Sequence, residues 1–252
     1  MYTDLHGHYL PGVDDGAGDL GESLRMLAQA REERASVLCV TPHIWPDRFP
    51  NRPGELRARF EAWRGEAEAR GLQVHLGSEV YFRPDLPAAW ARGELLPLGG
   101  RSHYLLVELP LLICPPAVGE TFYRLRLEGA EPLLAHPERY PWASRDLRRL
   151  RELAEAGVPF QVTAASLLGH FGATIQKTAW KLLERGWVHV VASDAHSPTG
   201  RRPLLREAVR AVSLRYGTEA AHLLFVKNPR ALLEGRAPQA PPVKPQRRGF
   251  GR

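Results

Sequence analysis

Histidines and carboxylates in this 252-residue chain recur where short apolar runs end. His6 and His8 stand one residue apart in DLHGHYLPGVDDG (4–16), with Asp14 and Asp15 close behind. His43 follows SVLCVT in TPH (41–43), and Glu79 closes QVHLGSEV (73–80). Glu108 ends HYLLVEL, His136 ends PLLAH, and Asp194 and His196 follow VHVVAS in SDAH (193–196). A His-x-His pair on an extended strand turns both imidazoles to one face, within reach of one ion. Any one of these residues has a plain structural explanation, as a packed histidine or a solvated glutamate. Their coincidence does not, because several uncompensated carboxylates facing one cavity repel each other until cations neutralise them. Imidazole and carboxylate donors without thiolate suit manganese, zinc or iron rather than a structural cysteine site.

Ligands from such distant positions need a scaffold that gathers them. Seven apolar, β-branched runs predict strands at 3–6, 36–41, 73–80, 103–109, 132–136, 158–163 and 188–193. Stretches with helical spacing lie between them. Leu20, Leu24, Leu27 and Ala28 mark one face of a first helix with Asp19 as N-cap, and others fall at 53–70, 118–129, 145–156, 174–186 and 203–215. A last helix is expected from Pro229, capped by Asn228 and stopped by Gly235. Alternating strands and helices imply parallel pairing and an α/β fold, and this number of units suggests a closed, TIM-like barrel. In such barrels reactive residues project from the C-terminal ends of the strands. Six of the seven predicted strands deliver His, Glu or Asp there; the sixth ends in Thr163 without an evident ligand.

Composition narrows the alternatives. The net charge of +6 invites a nucleic-acid reading, but five basic residues and no acid fall between Arg236 and Arg252. The rest carries 29 basic against 28 acidic residues, so the excess belongs to a Pro/Gly-rich segment expected to be a disordered or loosely docked tail. No partner nucleic acid is expected. No apolar run is long enough for a membrane span, and no signal peptide is evident, which makes the cytoplasm the expected location. Cys39 and Cys114 make no disulfide framework. His75, His103, His189 and His222 read as structural, and His170 as a loop residue.

Taken together, these blocks resemble the polymerase and histidinol phosphatase (PHP) superfamily, and within it the bacterial manganese-dependent protein-tyrosine phosphatases of capsule and exopolysaccharide operons. The matching blocks are DLHGHYLPGVDDG, TPH, GSEV, YLLVELP, AHPERY, QVTAASLLGHFG and SDAH, spread over residues 1–235. The resemblance implies a distorted seven-stranded (β/α)7 barrel over 1–235, with 236–252 as the basic tail, and up to three divalent ions, manganese before zinc or iron. It assigns His6, His8, Glu79 and Asp194 to one ion; Glu79, Glu108 and His136 to a second; and Asp15, His43 and His196 to a third, with Asp14 left as a turn residue. Two departures stand out: Ile44 follows His43 where many relatives carry a second histidine, and TAAS replaces a serine-rich loop after strand six.

The implied reaction is in-line attack of a metal-bound hydroxide on a phosphomonoester, without a covalent enzyme intermediate. A dianionic phosphate calls for arginine forks, and Arg139, three residues past His136, and Arg201, five past His196, are the expected clamps for both binding and catalysis. Trp45, Tyr81, Phe82, Tyr140 and Trp142 follow strand ends and are placed either at the mouth or under loops. Neither cysteine lies in a Cys-x5-Arg loop, which argues against cysteine phosphatase chemistry. The resemblance implies a phosphorylated bacterial tyrosine kinase as protein substrate, and a homo-oligomer is compatible with the sequence. A small-molecule phosphatase such as a histidinol phosphatase would use the same metals. An amidohydrolase commonly bridges its ions with a carboxylated lysine, a place Glu79 takes here. A non-catalytic scaffold would bind metal without turnover.

Overall fold

A computed structural model describes residues 1–240; of the expected tail, residues 241–252 lie outside the described residues. Nine short strands run β1 (Tyr2–Asp4), β2 (Ala35–Val40), β3 (His43–Ile44), β4 (Gln73–Leu76), β5 (Glu79–Tyr81), β6 (Tyr104–Glu108), β7 (Glu131–Ala135), β8 (Phe160–Thr163) and β9 (Val188–Ala192). They form two parallel sheets, β1-β2-β4 and β3-β5-β6-β7-β8-β9. β3 prolongs β2 and β5 prolongs β4 after two-residue interruptions, so the nine strands fill the seven predicted strand positions. The outer strands also meet: Asp194 N–H donates to the His6 carbonyl and His8 N–H to the Ala195 carbonyl, each at 2.8 Å, with a parallel bridge between Gly7 and Ala195. These contacts set the segments that follow β1 and β9 side by side, at one edge of each sheet.

Period-two alternation decides what faces the inside. Leu106, Leu133, Ala135, Val190 and Ala192 join Leu5, Val37 and Cys39 in an inner cluster that Leu98, Leu232 and Leu233 close from below. Leu105, Val107, Leu134 and Val191 belong to the larger cluster under the helices. Two residues beyond an inward apolar position the same face reaches the rim. Tyr104 and Leu106 lead to Glu108, and Val190 and Ala192 lead to Asp194. The apolar interior and the polar rim are one continuous side-chain column.

Helix positions agree with the sequence expectations, and Asp19 caps the first helix (Leu20–Glu32) by accepting the Glu22 N–H at 2.8 Å. One cap is corrected. Asn228 is the first residue of the last helix (Asn228–Leu233) and not its cap, because helical backbone runs into it through Thr218–His222 and Leu223–Lys227, a π turn. Its buried amide instead donates to the His189 and Gln239 carbonyls and accepts the Gln239 N–H. Residue 239, assigned to the tail by sequence, is therefore tied to the barrel. Short helices at Leu86–Ala91, Pro141–Arg145 and Ala164–Leu168 were too brief to show a period.

Candidate metal centre

The nine histidines and carboxylates assigned to metal in the sequence gather at the C-terminal ends of the strands. His6, His8, Glu79 and Asp194 are buried and offer donor atoms that lie within 4.8 Å of one another. Nε2 of His6 is 3.2 Å from Nε2 of His8, 3.1 Å from Glu79 Oε2 and 3.3 Å from Asp194 Oδ1. His8 Nε2 is 3.2 Å from the same Glu79 oxygen and 3.7 Å from Asp194 Oδ1. Donors around an ion at about 2.1 Å are spaced by roughly 3.0–3.4 Å in octahedral or tetrahedral shells, so these atoms stand where a coordination shell needs them.

The outer nitrogens fix the orientation. His6 Nδ1 donates to Gln161 Oε1 at 3.1 Å and His8 Nδ1 to Asp14 Oδ2 at 2.7 Å. With both Nδ1 atoms committed as donors, each ring has its Nε2 left for the cluster, and once deprotonated that atom offers a lone pair beside two carboxylate oxygens. Asp194 Oδ1, though buried, has no hydrogen-bond partner in the protein. A buried oxygen without a hydrogen-bond partner, beside two imidazole nitrogens and a second carboxylate, is an environment suited to a cation.

A second group joins His8 to Asp15, His43 and His196, with Asp15 Oδ1 3.4 Å from His43 Nε2 and 3.5 Å from His196 Nε2. A third contains His43, Glu79 and Glu108. His136 was expected with these two carboxylates, and its Nε2 lies 2.8 Å from Glu79 Oε1 and 3.8 Å from Glu108 Oε1. Glu79 thus contributes to two groups and sits centrally, a bridging position.

Electrostatics reflect the crowding. Burial pushes Glu108 up, and the charges of Glu79 and Asp194 add to it, leaving its carboxyl at about 8. Burial opposes ionisation of Glu79, yet the positive charges of His6 and His43 hold it well below the ordinary carboxylate range. His8 is lifted to about 10 against its burial by Asp14 and Glu79, whereas burial holds His136 and His196 at about 4. The cluster keeps protons to balance its carboxylates, the work that divalent ions would take over.

Both expected arginines reach the same rim. Arg139 donates to Asp194 Oδ2 at 2.6 Å and Arg201 donates to the same oxygen. Arg139 is 23% and Arg201 27% exposed, so both guanidinium groups remain reachable from a cavity of about 200 Å³ that holds Asp15, His43, Glu79, Glu108 and His136 as well. His136 and Asp194 take left-handed backbone (φ 32° and 52°), conformations costly for non-glycine residues and often retained at functional sites.

Three further residues support the cluster and were not recognisable as such in sequence. Asp14 is more than a turn residue, since its carboxylate also accepts the His43 and Gly16 N–H groups. Gly16 permits that approach: a Cβ there would stand 2.3 Å from the His8 carbonyl oxygen. Gln161, inward from the strand that lacked a rim ligand, also accepts the His136 N–H. Glu138, the glutamate of HPER, is buried and accepts the Thr163 N–H at 2.9 Å. Of the five aromatics, Trp45 and Tyr81 line the cavity. Phe82 and Tyr140 are core residues: the Tyr140 hydroxyl donates to the Ala135 carbonyl and accepts the Leu109 N–H, while half-buried Trp142 stacks on Tyr140. His170 is exposed and outside the cavity.

Comparison with known proteins follows this geometry. The family model described as capsular polysaccharide synthesis, CpsB/CapC, matches residues 2–234. CapC of Staphylococcus aureus is 33% identical over 207 residues, 81% of each chain. The tyrosine-protein phosphatase YwqE of Bacillus subtilis is 30% identical over 247 residues, covering 97% of this chain and 96% of its own. A crystal structure from work on YwqE and Streptococcus pneumoniae CpsB, described there as unique metal-dependent tyrosine phosphatases, superposes with a TM-score of 0.91 at 31% identity, covering 98% of this chain and all of that one.

Proposed function

The chain belongs to the CpsB/CapC family of capsular polysaccharide synthesis, and on that premise we propose that it is a metal-dependent protein-tyrosine phosphatase whose catalytic unit spans residues 1–235. The observation that carries this reading is the unpartnered Asp194 Oδ1 facing the Nε2 atoms of His6 and His8, with two arginines bound to the other oxygen of the same carboxylate. A cation-requiring cluster and a phosphate clamp therefore share one residue.

His6, His8, Glu79 and Asp194 would hold one ion, Glu79, Glu108 and His136 a second, and Asp15, His43, His196 and His8 a third. Manganese fits the imidazole and carboxylate donors. Ions bound there would lower the pKa of water and polarise phosphoryl oxygens. The chain's own groups do the rest. Asp14 and Gln161 keep the His8 and His6 rings turned inward. Arg139 and Arg201 present guanidinium forks to the phosphate oxygens and balance charge gathering on them during transfer to water. Burial of the carboxylates around the clamp strengthens these interactions relative to bulk water.

The substrate we propose is a phosphotyrosine polypeptide, with a phosphorylated tyrosine kinase of polysaccharide synthesis as the physiological case. Among the described residues no helix is long and apolar enough to cross a membrane. The competing small-molecule reading is separated by comparing a phosphotyrosine peptide with histidinol phosphate under manganese. A higher kcat/KM on the peptide is expected; a higher value on histidinol phosphate would replace this reading.

A further inference from the structure

The lining of the catalytic cavity is segregated by chemistry. Arg139 follows β7 and Arg201 follows β9, whereas Trp45 follows β3, Tyr81 ends β5 and Leu111 follows β6, and those three strands are consecutive neighbours in the sheet. The two arginines held by Asp194 stand apart from the aromatic rings and Leu111, beside which the lining also includes Arg48, lying over Trp45.

The apolar side is built in advance. Trp45 and Tyr81 stack face to face, centroids 3.8 Å apart and planes 2° from parallel. Trp45 is tied to Phe49 by two backbone hydrogen bonds, N–H to carbonyl in each direction at 3.0 and 2.7 Å. The Arg48 guanidinium covers both rings, 5.5 Å from the Trp45 centroid and 4.9 Å from that of Phe49. Phe49 stacks in turn on His43, 5.3 Å away. Leu111 is 49% exposed and is followed by the more exposed Leu112 and Ile113. Core packing does not account for bare leucine beside a pocket of charged groups, whereas a ligand with an apolar body does.

We propose that Trp45, Tyr81 and Leu111 form an aryl-binding wall that selects aromatic over aliphatic phosphomonoesters. The inference rests on the phosphatase reading above. With phosphate oxygens on Arg139 and Arg201, an attached phenyl ring extends away from the clamp and buries its face on the opposite wall. Aromatic rings bury large areas and gain further from offset or edge contacts with other rings. Phosphoserine carries its phosphate on a single methylene and has nothing to place there. To reach the arginines it must draw peptide backbone, with its polar groups, against apolar side chains. Because Trp45 is already fixed by Tyr81, Arg48 and Phe49, little ordering remains to oppose binding.

The test uses the manganese-loaded, full-length protein and two peptides of one sequence carrying phosphotyrosine or phosphoserine. For Trp45→Ala and Tyr81→Ala, the ratio of kcat/KM between the peptides should fall at least tenfold, through a raised KM for the phosphotyrosine peptide. Leu111→Ala should lower it less, and Tyr81→Phe, which keeps the ring, should recover most of the ratio lost in Tyr81→Ala. Circular dichroism and metal content identify any variant that fails to fold, and half-buried Tyr81 then decides the question. An unchanged ratio in the folded variants overturns the wall, as does a fall carried by kcat alone on both peptides. A wild-type protein that cleaves both peptides equally also overturns the wall but leaves the phosphatase reading standing. No turnover of either peptide overturns both.

Discussion

Asp14 Oδ2 lies 2.7 Å from Nδ1 of His8, and both side chains are fully buried. The contact makes His8 Nδ1 a donor and commits Nε2 to the cluster, so a residue six positions beyond the His-x-His pair sets how that pair can act. Asp14→Asn keeps an oxygen for the same contact and removes the charge that makes Nε2 basic. Manganese affinity, measured by titration, should fall about 10–100-fold, with the fold retained. Equal affinity would mean that Asp14 serves the turn alone.

Metal loading should expel protons. His8 is lifted to about 10 by Asp14 and Glu79 despite its burial, and Glu108 rises to about 8 through burial and its carboxylate neighbours. Both therefore carry a proton at neutral pH before metal arrives, and an ion binds only the deprotonated atoms. Affinity should rise with pH through 7 and flatten for Glu108 above about 8, with up to two protons released per protein near neutrality. Calorimetry in buffers of different ionisation enthalpy counts them. A binding enthalpy independent of buffer would contradict this balance.

Removing either phosphate clamp should cost activity without emptying the site. Arg139→Ala and Arg201→Ala are each expected to lower kcat/KM for an aryl phosphate about 100-fold, the usual scale for a donor that stabilises transferring charge. Because both guanidinium groups engage Asp194 Oδ2, the double variant should lose less than the product of the two. Lysine at either position should recover little, lacking the planar fork. Steady-state kinetics alongside metal analysis separates this outcome from loss of metal.

Glu138 predicts a pH-dependent stability unrelated to turnover. Burial raises its carboxyl from an ordinary 4.5 to about 7. The folded state therefore favours the protonated form, a contribution fully present below about pH 4.5 and lost as pH rises toward 7. The loss amounts to about 3 kcal/mol, which Glu138→Gln should remove because its amide oxygen can still accept the Thr163 N–H. Melting temperatures should match at pH 5 and favour the variant at pH 7.5. Equal melting at both values would contradict the prediction.

The strands and the nine rim residues were legible in sequence because both obey local rules. Period-two alternation carries Tyr104 and Leu106 on to Glu108, and Val190 and Ala192 on to Asp194, so the rim residue is announced by the apolar residues before it. What stayed hidden depends on contacts between distant segments. Gln161 gains its role from His6, 155 positions away, and nothing in FQVT distinguishes it. Asp14 and Asp15 are adjacent and chemically alike; only the close turn at Gly16 sends one to His8 and the other to His43 and His196. Asn228 looked like a cap because Pro229 follows it, but helix propagation through the preceding π turn overrode that local signal.

The most direct test of the central claim is hydrolysis of a phosphotyrosine peptide followed while metal is removed and returned. The chelated protein should be folded and inactive, and activity should return with added manganese in proportion to the metal bound. Turnover that persists without metal, or a fully loaded protein that cleaves no phosphate ester, would contradict the account.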